Sequence, residues 1–120
     1  MNNQEAFDKI TKHLLTQKRK SVDFEGSCQY RGPAGLQCAI GCLISDEDYR
    51  PDMESYSVGK LFWSDAFTNL PSILNLSDVD HSLLGKLQQI HDSADVADWS
   101  RHLVKIAKLY NLIYKFEVLS

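Results

Sequence analysis

Apolar residues recur at helical spacing near the start of the chain. Asn2 and Glu5 have the spacing of a capping box, and the apolar positions that follow are Phe7, Ile10, Leu14 and Leu15. This pattern predicts an amphipathic first helix that ends near Gln17.

Two further helices are predicted in the second half of the chain. One has Ser77 and Asp80 as its capping signature, continues to about Asp92, and has an apolar stripe of Val79, Leu83, Leu84, Leu87 and Ile90. The other begins at Asp95 or Asp98, and its apolar face consists of Trp99, Leu103, Ile106 and Tyr110. Residues 112–118 alternate loosely, which leaves strand and continued helix both open.

A shorter helix is predicted over residues 58–68, and its apolar positions are Val58, Leu61, Phe62 and Phe67. Pro71 should end this helix at the latest, because proline disfavours helical backbone in the residue before it. The polar stretch 45–57, which contains Pro51, is predicted to be an ordered loop with one helical turn at most.

The segment after the first helix lacks helical spacing and is rich in glycine and proline. Residues 28–31 are predicted to form a short strand that pairs with residues 36–39 around the turn Gly32-Pro33-Ala34-Gly35. Periodicity does not assign the apolar run from Leu36 to Ile44 to strand or helix, and we expect a turn at Gly41 into a helical turn.

The predicted fold is therefore mainly α, within the α+β class, with four helices and a small β-hairpin near residues 28–39. With 120 residues, of which 43% are hydrophobic, the chain is expected to form one core. Residues 1–120 are thus predicted to be a single globular domain.

Charge and cysteine usage narrow the class of protein. The net charge of −3 gives no general basic surface, which disfavours binding to duplex nucleic acid. No apolar run approaches the ~20 residues of a membrane helix, and the first residues lack the apolar core of a signal peptide. We therefore expect no membrane partner. The number of cysteines is three, which is odd, so we expect free thiols in a reducing cytoplasm.

The cysteines allow two kinds of reactive site. Zinc could be bound by Cys28, Cys38, Cys42 and one of His81 or His91, because three thiolates and an imidazole are a known zinc ligand set. The spacing provides only one of the two paired knuckles of strong zinc sites. Buried cysteines commonly pack as small apolar residues, and this interpretation is preferred, with no metal or other cofactor expected.

A cysteine nucleophile is the other possibility. Cys38 or Cys42 would attack, His91 would act as the base, and Asp92 or Asp95 would orient the imidazole. The apolar surroundings of Cys38 argue against it, because they raise the pKa of a thiol. A hydrolase of this kind, or a metal-dependent one, is the alternative to a binding function. His81 and His91 diverge by about 80° on an ideal helix, which disfavours a metal shared between them.

The glycine-rich turn suggests a binding site. Arg31 precedes a turn whose backbone could form an anion-binding nest, although the Lys and Ser/Thr of a phosphate-binding P-loop are missing. Tyr30 or Tyr49 could add aromatic stacking on a nucleotide-like ligand. The predicted ligand-binding residues are Tyr30, Arg31, Gly32, Gly35, Gln37, Tyr49 and His91. The acidic stretch 46–52 does not form a calcium loop, because Pro51 replaces the required glycine.

Two motifs carry a family resemblance. The first consists of Tyr30-Arg31-Gly32-Pro33 with Gly35 and of Cys38-Ala39-Ile40-Gly41-Cys42-Leu43-Ile44 with Asp46, Tyr49 and Met53-Glu54. The second is Leu87-Gln88-Gln89-Ile90-His91-Asp92, followed by Trp99. Together they resemble the signature of a family of small uncharacterised proteins from bacteriophages, prophages and bacteria. Ser45 departs from that pattern, which has proline there. The resemblance covers most of the chain and implies a phage setting, but it carries no agreed activity.

The sequence therefore favours a small non-enzymatic protein of phage or prophage type. It would act in the host cytoplasm, either by interfering with a host protein or by capturing a small anionic, nucleotide-like ligand involved in host defence. Its site is expected where the segment from Arg31 to Cys42 meets the helix that carries His91. Exposed aromatic residues such as Trp63 or Phe116 allow a homo-oligomer.

Overall fold

Residues 1–116, which the computed structural model describes, contain five α-helices and four short 3₁₀ segments. The helices are α1 (Asn3–Gln17), α2 (Val58–Trp63), α3 (Leu70–Ile73), α4 (His81–Ser93) and α5 (Trp99–Leu109). The 3₁₀ segments are Pro33–Gly35, Gly41–Leu43, Pro51–Ser55 and Val96–Asp98. The predicted mainly helical fold is confirmed. No helix in this part of the chain has both the length and the hydropathy of a membrane span.

Helix α1 forms where the sequence predicts it. The Asn2 side chain accepts a hydrogen bond from the Glu5 N–H at 2.9 Å, and the Glu5 carboxylate accepts one from the Asn2 N–H at 3.0 Å, so the capping box is confirmed. The helix ends at Lys18, whose backbone is left-handed. Its buried face packs against the turn Gly41–Leu43 and against α4 and α5.

Helices α4 and α5 provide much of the core, where Leu83, Leu87, Trp99 and Leu103 have no exposed surface. The predicted capping box before α4 is wrong. Asp80 occupies the N-cap position, but its carboxylate accepts from the Asn3 side chain at 3.0 Å and does not cap its own helix. The sequence allowed α5 to begin at Asp95 or Asp98; Asp98 occupies its N-cap position, and Asp95 is the N-cap of the 3₁₀ segment Val96–Asp98.

The single helix predicted over residues 58–68 is wrong. Helix α2 ends at Trp63, because the backbone of Ser64 is extended, and α3 begins after the left-handed Asn69. Pro71 lies in the first turn of α3, where a missing N–H leaves no hydrogen bond unmade. Proline therefore helps to start a helix here and does not end one.

The predicted β-hairpin is also wrong. Within residues 1–116 there are two isolated bridges, Val22 with Cys28 and Arg31 with Gln37, and no strand ladder. The reason lies in residues 30 and 31, whose backbone N–H groups donate to the carboxylate of Glu54. These donors are therefore not available to a neighbouring strand.

The expected helical turn after residue 40 is present as the 3₁₀ segment Gly41–Leu43. Gly41 lies directly against the carbonyl of Tyr30, and a Cβ atom at this position would be 2.0 Å from that oxygen. Only glycine allows the two backbone segments to approach so closely. Residues 112–116 are neither helix nor strand, and 117–118 lie outside the described residues.

Candidate ligand-binding site

A cavity of about 230 Å³ lies where residues 28–38 meet residues 54–58 and α4. We call it the junction cavity. The side chains that line it are mostly polar and include two carboxylates; they are Cys28, Gln29, Tyr30, Cys38, Glu54, Tyr56, Ser57, Val58, Gln88 and Asp92. Of the segment 31–42 and the helix between which the sequence places the site, Cys38, Gln88 and Asp92 line this cavity, whereas neither Arg31 nor His91 does.

Asp92 is one of the two carboxylates. Its Oδ1 atom accepts hydrogen bonds from His91 Nδ1 at 2.8 Å and from Gln88 Nε2 at 2.7 Å. Burial raises the pKa of Asp92, but the hydrogen bonds from His91, Cys28 and Gln88 outweigh burial and hold the pKa below its ordinary value of 3.8. The carboxylate is therefore ionised at neutral pH and fixed in position.

His91 is completely buried, and its two ring nitrogens are both hydrogen-bonded. The backbone N–H of Ser21 donates to Nε2 at 2.8 Å, so Nε2 carries no proton. The proton of the neutral ring is then on Nδ1, which donates to Asp92. The ring also stacks on Trp99 with 5.7 Å between centroids. His91 therefore positions the carboxylate of Asp92 and has no nitrogen left for a substrate.

Glu54 is the second carboxylate of the cavity. It accepts hydrogen bonds from the N–H of Tyr30 at 2.7 Å, from the N–H of Arg31 at 3.0 Å and from the hydroxyl of Tyr49 at 2.6 Å. Burial, together with the hydrogen bond to Glu54, raises the pKa of Tyr49 to about 12, so this hydroxyl remains a donor. Glu54 thus holds the glycine-rich segment against the loop that precedes α2.

All three cysteines are free thiols, as predicted. The Cys38 sulfur accepts from the Gly41 N–H at 3.2 Å, and the Cys42 thiol donates to the Ala39 carbonyl at 3.0 Å. Burial raises the pKa of each to about 12. Neither thiol is hydrogen-bonded to His91, so the structure does not assemble the pairing of nucleophile and base that the alternative hydrolase requires. Asp95 lies beyond the end of α4 and is exposed.

The predicted zinc ligands are not brought together as a set. Among the described residues, the ligand atoms that converge within 4.8 Å belong to Cys28, His91 and Asp92. A metal on Nδ1 of a neutral imidazole would require a proton on Nε2, where it would face the N–H of Ser21. Burial and the neighbouring Asp92 raise the pKa of Cys28 to about 11. The arrangement fits a hydrogen-bonded network better than a metal site. His81 lies elsewhere and stacks on Trp63.

Arg31 is bonded within its own segment. Its guanidinium forms an ion pair with Asp46, donates to the Ile44 carbonyl at 2.5 Å, and lies 5.0 Å above the ring of Tyr49. An anion at this position would have to compete with the carboxylate of Asp46.

Of the other predicted ligand residues, two lie at the junction cavity or next to it, and the three in or near the glycine-rich turn do not line it. Tyr30 lines the junction cavity, and the hydroxyl of Tyr49 donates a hydrogen bond to Glu54, which also lines it. Gly32 donates its N–H to the Leu36 carbonyl, and the carbonyl of Gln37 accepts from side chains of α1. Gly35 lies in the turn beside α1 and does not line the cavity.

Among the residues that the prediction missed, Gln88, Glu54 and Ser21 form the hydrogen bonds described above. Gln88 had a signal in the sequence, because it precedes Asp92 by four positions and the two side chains share a face of α4. Neither Glu54 nor Ser21 had a local signal for these contacts. Glu54 accepts from Tyr30 and Arg31, and Ser21 donates to His91, so these partners lie 23 to 70 positions away along the chain.

No family model, curated protein or solved structure matches this chain.

Proposed function

We propose that the protein is a small non-enzymatic binding protein whose junction cavity receives a group rich in hydrogen-bond donors. The observation that carries this proposal is the pair of carboxylates, Asp92 and Glu54, each fixed by hydrogen bonds within one cavity. An ionised carboxylate only accepts hydrogen bonds. A bound group should therefore offer N–H donors, as the amino edge of a nucleobase or a protonated amine does.

The size of the cavity limits what can enter. Its volume of about 230 Å³ is below the ~300–1,000 Å³ typical of sites for drug-sized ligands. A single ring fits this space better than a complete nucleotide. For a nucleotide-like ligand, the base would enter the cavity and the phosphate would remain outside. This changes the expectation of an anion bound at Arg31, because the guanidinium of Arg31 is already paired with Asp46.

The state of the thiols and of His91 supports binding over hydrolysis. Cys38 and Cys42 remain protonated at neutral pH, since the pKa of each is about 12. A protonated thiol is a poor nucleophile, and His91 has no unoccupied nitrogen with which to activate it. Cys38 instead lines the cavity, and His91 orients the carboxylate of Asp92.

The biological setting is part of the proposal. The motifs around Arg31 and His91 resemble those of phage, prophage and bacterial proteins, and small accessory phage proteins often act by binding. A cavity that selects an amino-bearing base would suit the capture of a nucleotide signal in the host cytoplasm.

Calorimetric titration with matched ligands tests the proposal. Cytidine and adenosine present an amino group, whereas uridine and inosine present a carbonyl at the same place. Putrescine tests for a simple amine. We expect cytidine or adenosine to bind at least about tenfold more tightly than its carbonyl counterpart, because a mismatched polar group leaves a buried partner unpaired. For putrescine, binding is judged against the heat of its dilution into buffer.

The matched variants are Asp92→Asn, which changes the wall of the cavity, and Asp95→Asn, which changes an exposed carboxylate outside it. Asp92→Asn should weaken binding at least about tenfold, and Asp95→Asn should leave it unchanged. Absence of binding by all the amino-bearing probes, or equal binding by wild type and Asp92→Asn, would refute the proposal.

A further inference from the structure

Phe24 has a side chain that is 100% exposed, although phenylalanine is normally buried. It is at the tip of the loop closed by the bridge between Val22 and Cys28. Its neighbours in the sequence are Asp23 and Glu25, so the aromatic ring projects from an acidic loop. An exposed aromatic ring of this kind is the typical anchor of a protein interface.

The loop that presents Phe24 is well ordered by its own hydrogen bonds. The N–H of Asp23 donates to the Ser27 carbonyl at 2.9 Å, and the N–H of Gly26 donates to the Asp23 carbonyl at 3.1 Å. The Asp23 side chain accepts from the N–H groups of Glu25 and Ser27, both at 2.9 Å. Because the loop is already fixed, burial of the ring against a partner would cost little conformational entropy.

A groove of about 420 Å³ with complementary properties lies between α4 and α5. Its floor is apolar and includes Ile90, Ala94, Ile106 and Leu109, the last of which is 63% exposed. Lys86, His102 and Lys105 also line it, and none of the described residues that line it is acidic. Neither lysine forms an ion pair with another described residue.

We propose that two copies of the chain form a twofold dimer in which the Phe24 loop of each copy inserts into the α4–α5 groove of the other. The apolar ring matches the apolar floor, and the acidic loop matches the lysines beside it. A second copy is the occupant that the structure favours, because the chain itself provides both halves of the contact. A reciprocal arrangement buries both rings and closes the assembly at two subunits.

Sedimentation equilibrium over a wide range of protein concentration tests this dimer. We expect a reversible dimer of the wild-type chain at low salt, weakened as salt is raised, because the charged parts of the contact are screened. Phe24→Ala removes the ring, and Leu109→Asp places a carboxylate in the groove that receives Glu25. Each change should raise the dimer dissociation constant at least about tenfold. Circular dichroism should show native helix content, since both side chains are largely exposed.

A mixture of the two variants gives the sharpest result. Phe24→Ala retains an intact groove, and Leu109→Asp retains an intact Phe24. In a dimer of the two variants, one of the two contacts therefore joins an unchanged ring to an unchanged groove. In a dimer of either variant alone, both contacts are altered. The mixture should therefore associate more strongly than either variant alone. Ile73→Ala, at a residue of α3 that is 56% exposed and outside the contact, is the control and should dimerise like the wild type.

A wild-type chain that stays monomeric at every concentration would overturn the proposal. A dimer that survives Phe24→Ala, or a mixture that associates no better than its components, would overturn it equally. Capture of a different protein by a wild-type chain that does not itself dimerise would assign the Phe24 loop to that partner.

Discussion

Asp92 is the residue on which the proposed site depends most. Its carboxylate is half-exposed to the cavity, yet it is held by a buried imidazole and by an amide one helical turn away. These donors hold the pKa of Asp92 below 3.8 even though burial acts in the opposite direction. A carboxylate with its pKa lowered by folding stabilises the folded state when it is ionised.

The stability of the protein should therefore depend on pH through Asp92. The contribution is fully present above the ordinary pKa of 3.8 and is lost as pH falls through the lower pKa of the folded state. Asp92→Asn should lower the free energy of unfolding by about 1 kcal/mol at pH 7, because the amide oxygen accepts weaker hydrogen bonds than the carboxylate and the side chain, which is 37% exposed, is partly screened by solvent. The difference from wild type should shrink as the solution is acidified from pH 5 to pH 2.

Thermal denaturation across this pH range checks the prediction, with Asp95→Asn as the exposed control. A difference between wild type and Asp92→Asn that stays constant down to pH 2 would mean that the carboxylate is not stabilised as described.

At the scale of the elements, the close contact between Gly41 and Tyr30 defines one side of the site. The turn Gly41–Leu43 and the segment that carries Tyr30 touch backbone to backbone, with no room for a Cβ atom. This contact places Tyr30 and Cys38 on the same cavity. Because Gly41 has no side chain, the two segments can pack directly against each other.

Alanine substitution at two glycines tests this contact. Gly41→Ala should destabilise the protein by about 1–3 kcal/mol, because the added methyl group forces the backbone segments apart. Gly85→Ala is the matched control within α4, where a Cβ atom meets nothing within 4 Å. It should stabilise the protein by about 1 kcal/mol, since glycine is a poor helix former. Chemical denaturation measures both, and equal effects of the two changes would contradict the role given to Gly41.

The helices that could be predicted are those with local signals. The capping box of Asn2 and Glu5 and the apolar face of α1 are both properties of adjacent turns, and the prediction was confirmed. The hairpin at residues 28–39 had equally good turn residues, but it failed because Glu54 occupies the N–H groups of Tyr30 and Arg31. Competition from a distant side chain leaves no trace in a local pattern.

The site was predictable only in part, for a related reason. The sequence indicated the pair of His91 and Asp92, because they are neighbours on one helix, and the structure shows these two side chains hydrogen-bonded to each other. It predicted Arg31 as an anion-binding residue, whereas Asp46 and the Ile44 carbonyl bind its guanidinium in the structure. The composition of the chain shows which charges are present and does not show which of them are paired.

At the scale of the whole molecule, the junction cavity depends on one connection between distant parts of the chain. The backbone of Ser21, which follows α1, donates to the ring of His91 on α4, and the same ring donates to Asp92 at the cavity. The packing of α4 against α5 keeps the ring buried against Trp99. The fold thus uses a histidine to orient the Asp92 carboxylate, and both ring nitrogens of that histidine are occupied by hydrogen bonds.

The protonation of His91 is the most direct measure of this arrangement. Long-range ¹H–¹⁵N NMR correlation of the histidine rings at pH 7, with His91→Gln to assign the signal, distinguishes the two neutral tautomers and the charged ring. The account predicts a neutral His91 with its proton on Nδ1 and with Nε2 unprotonated. A proton on Nε2, or a ring that carries both protons at pH 7, would contradict it.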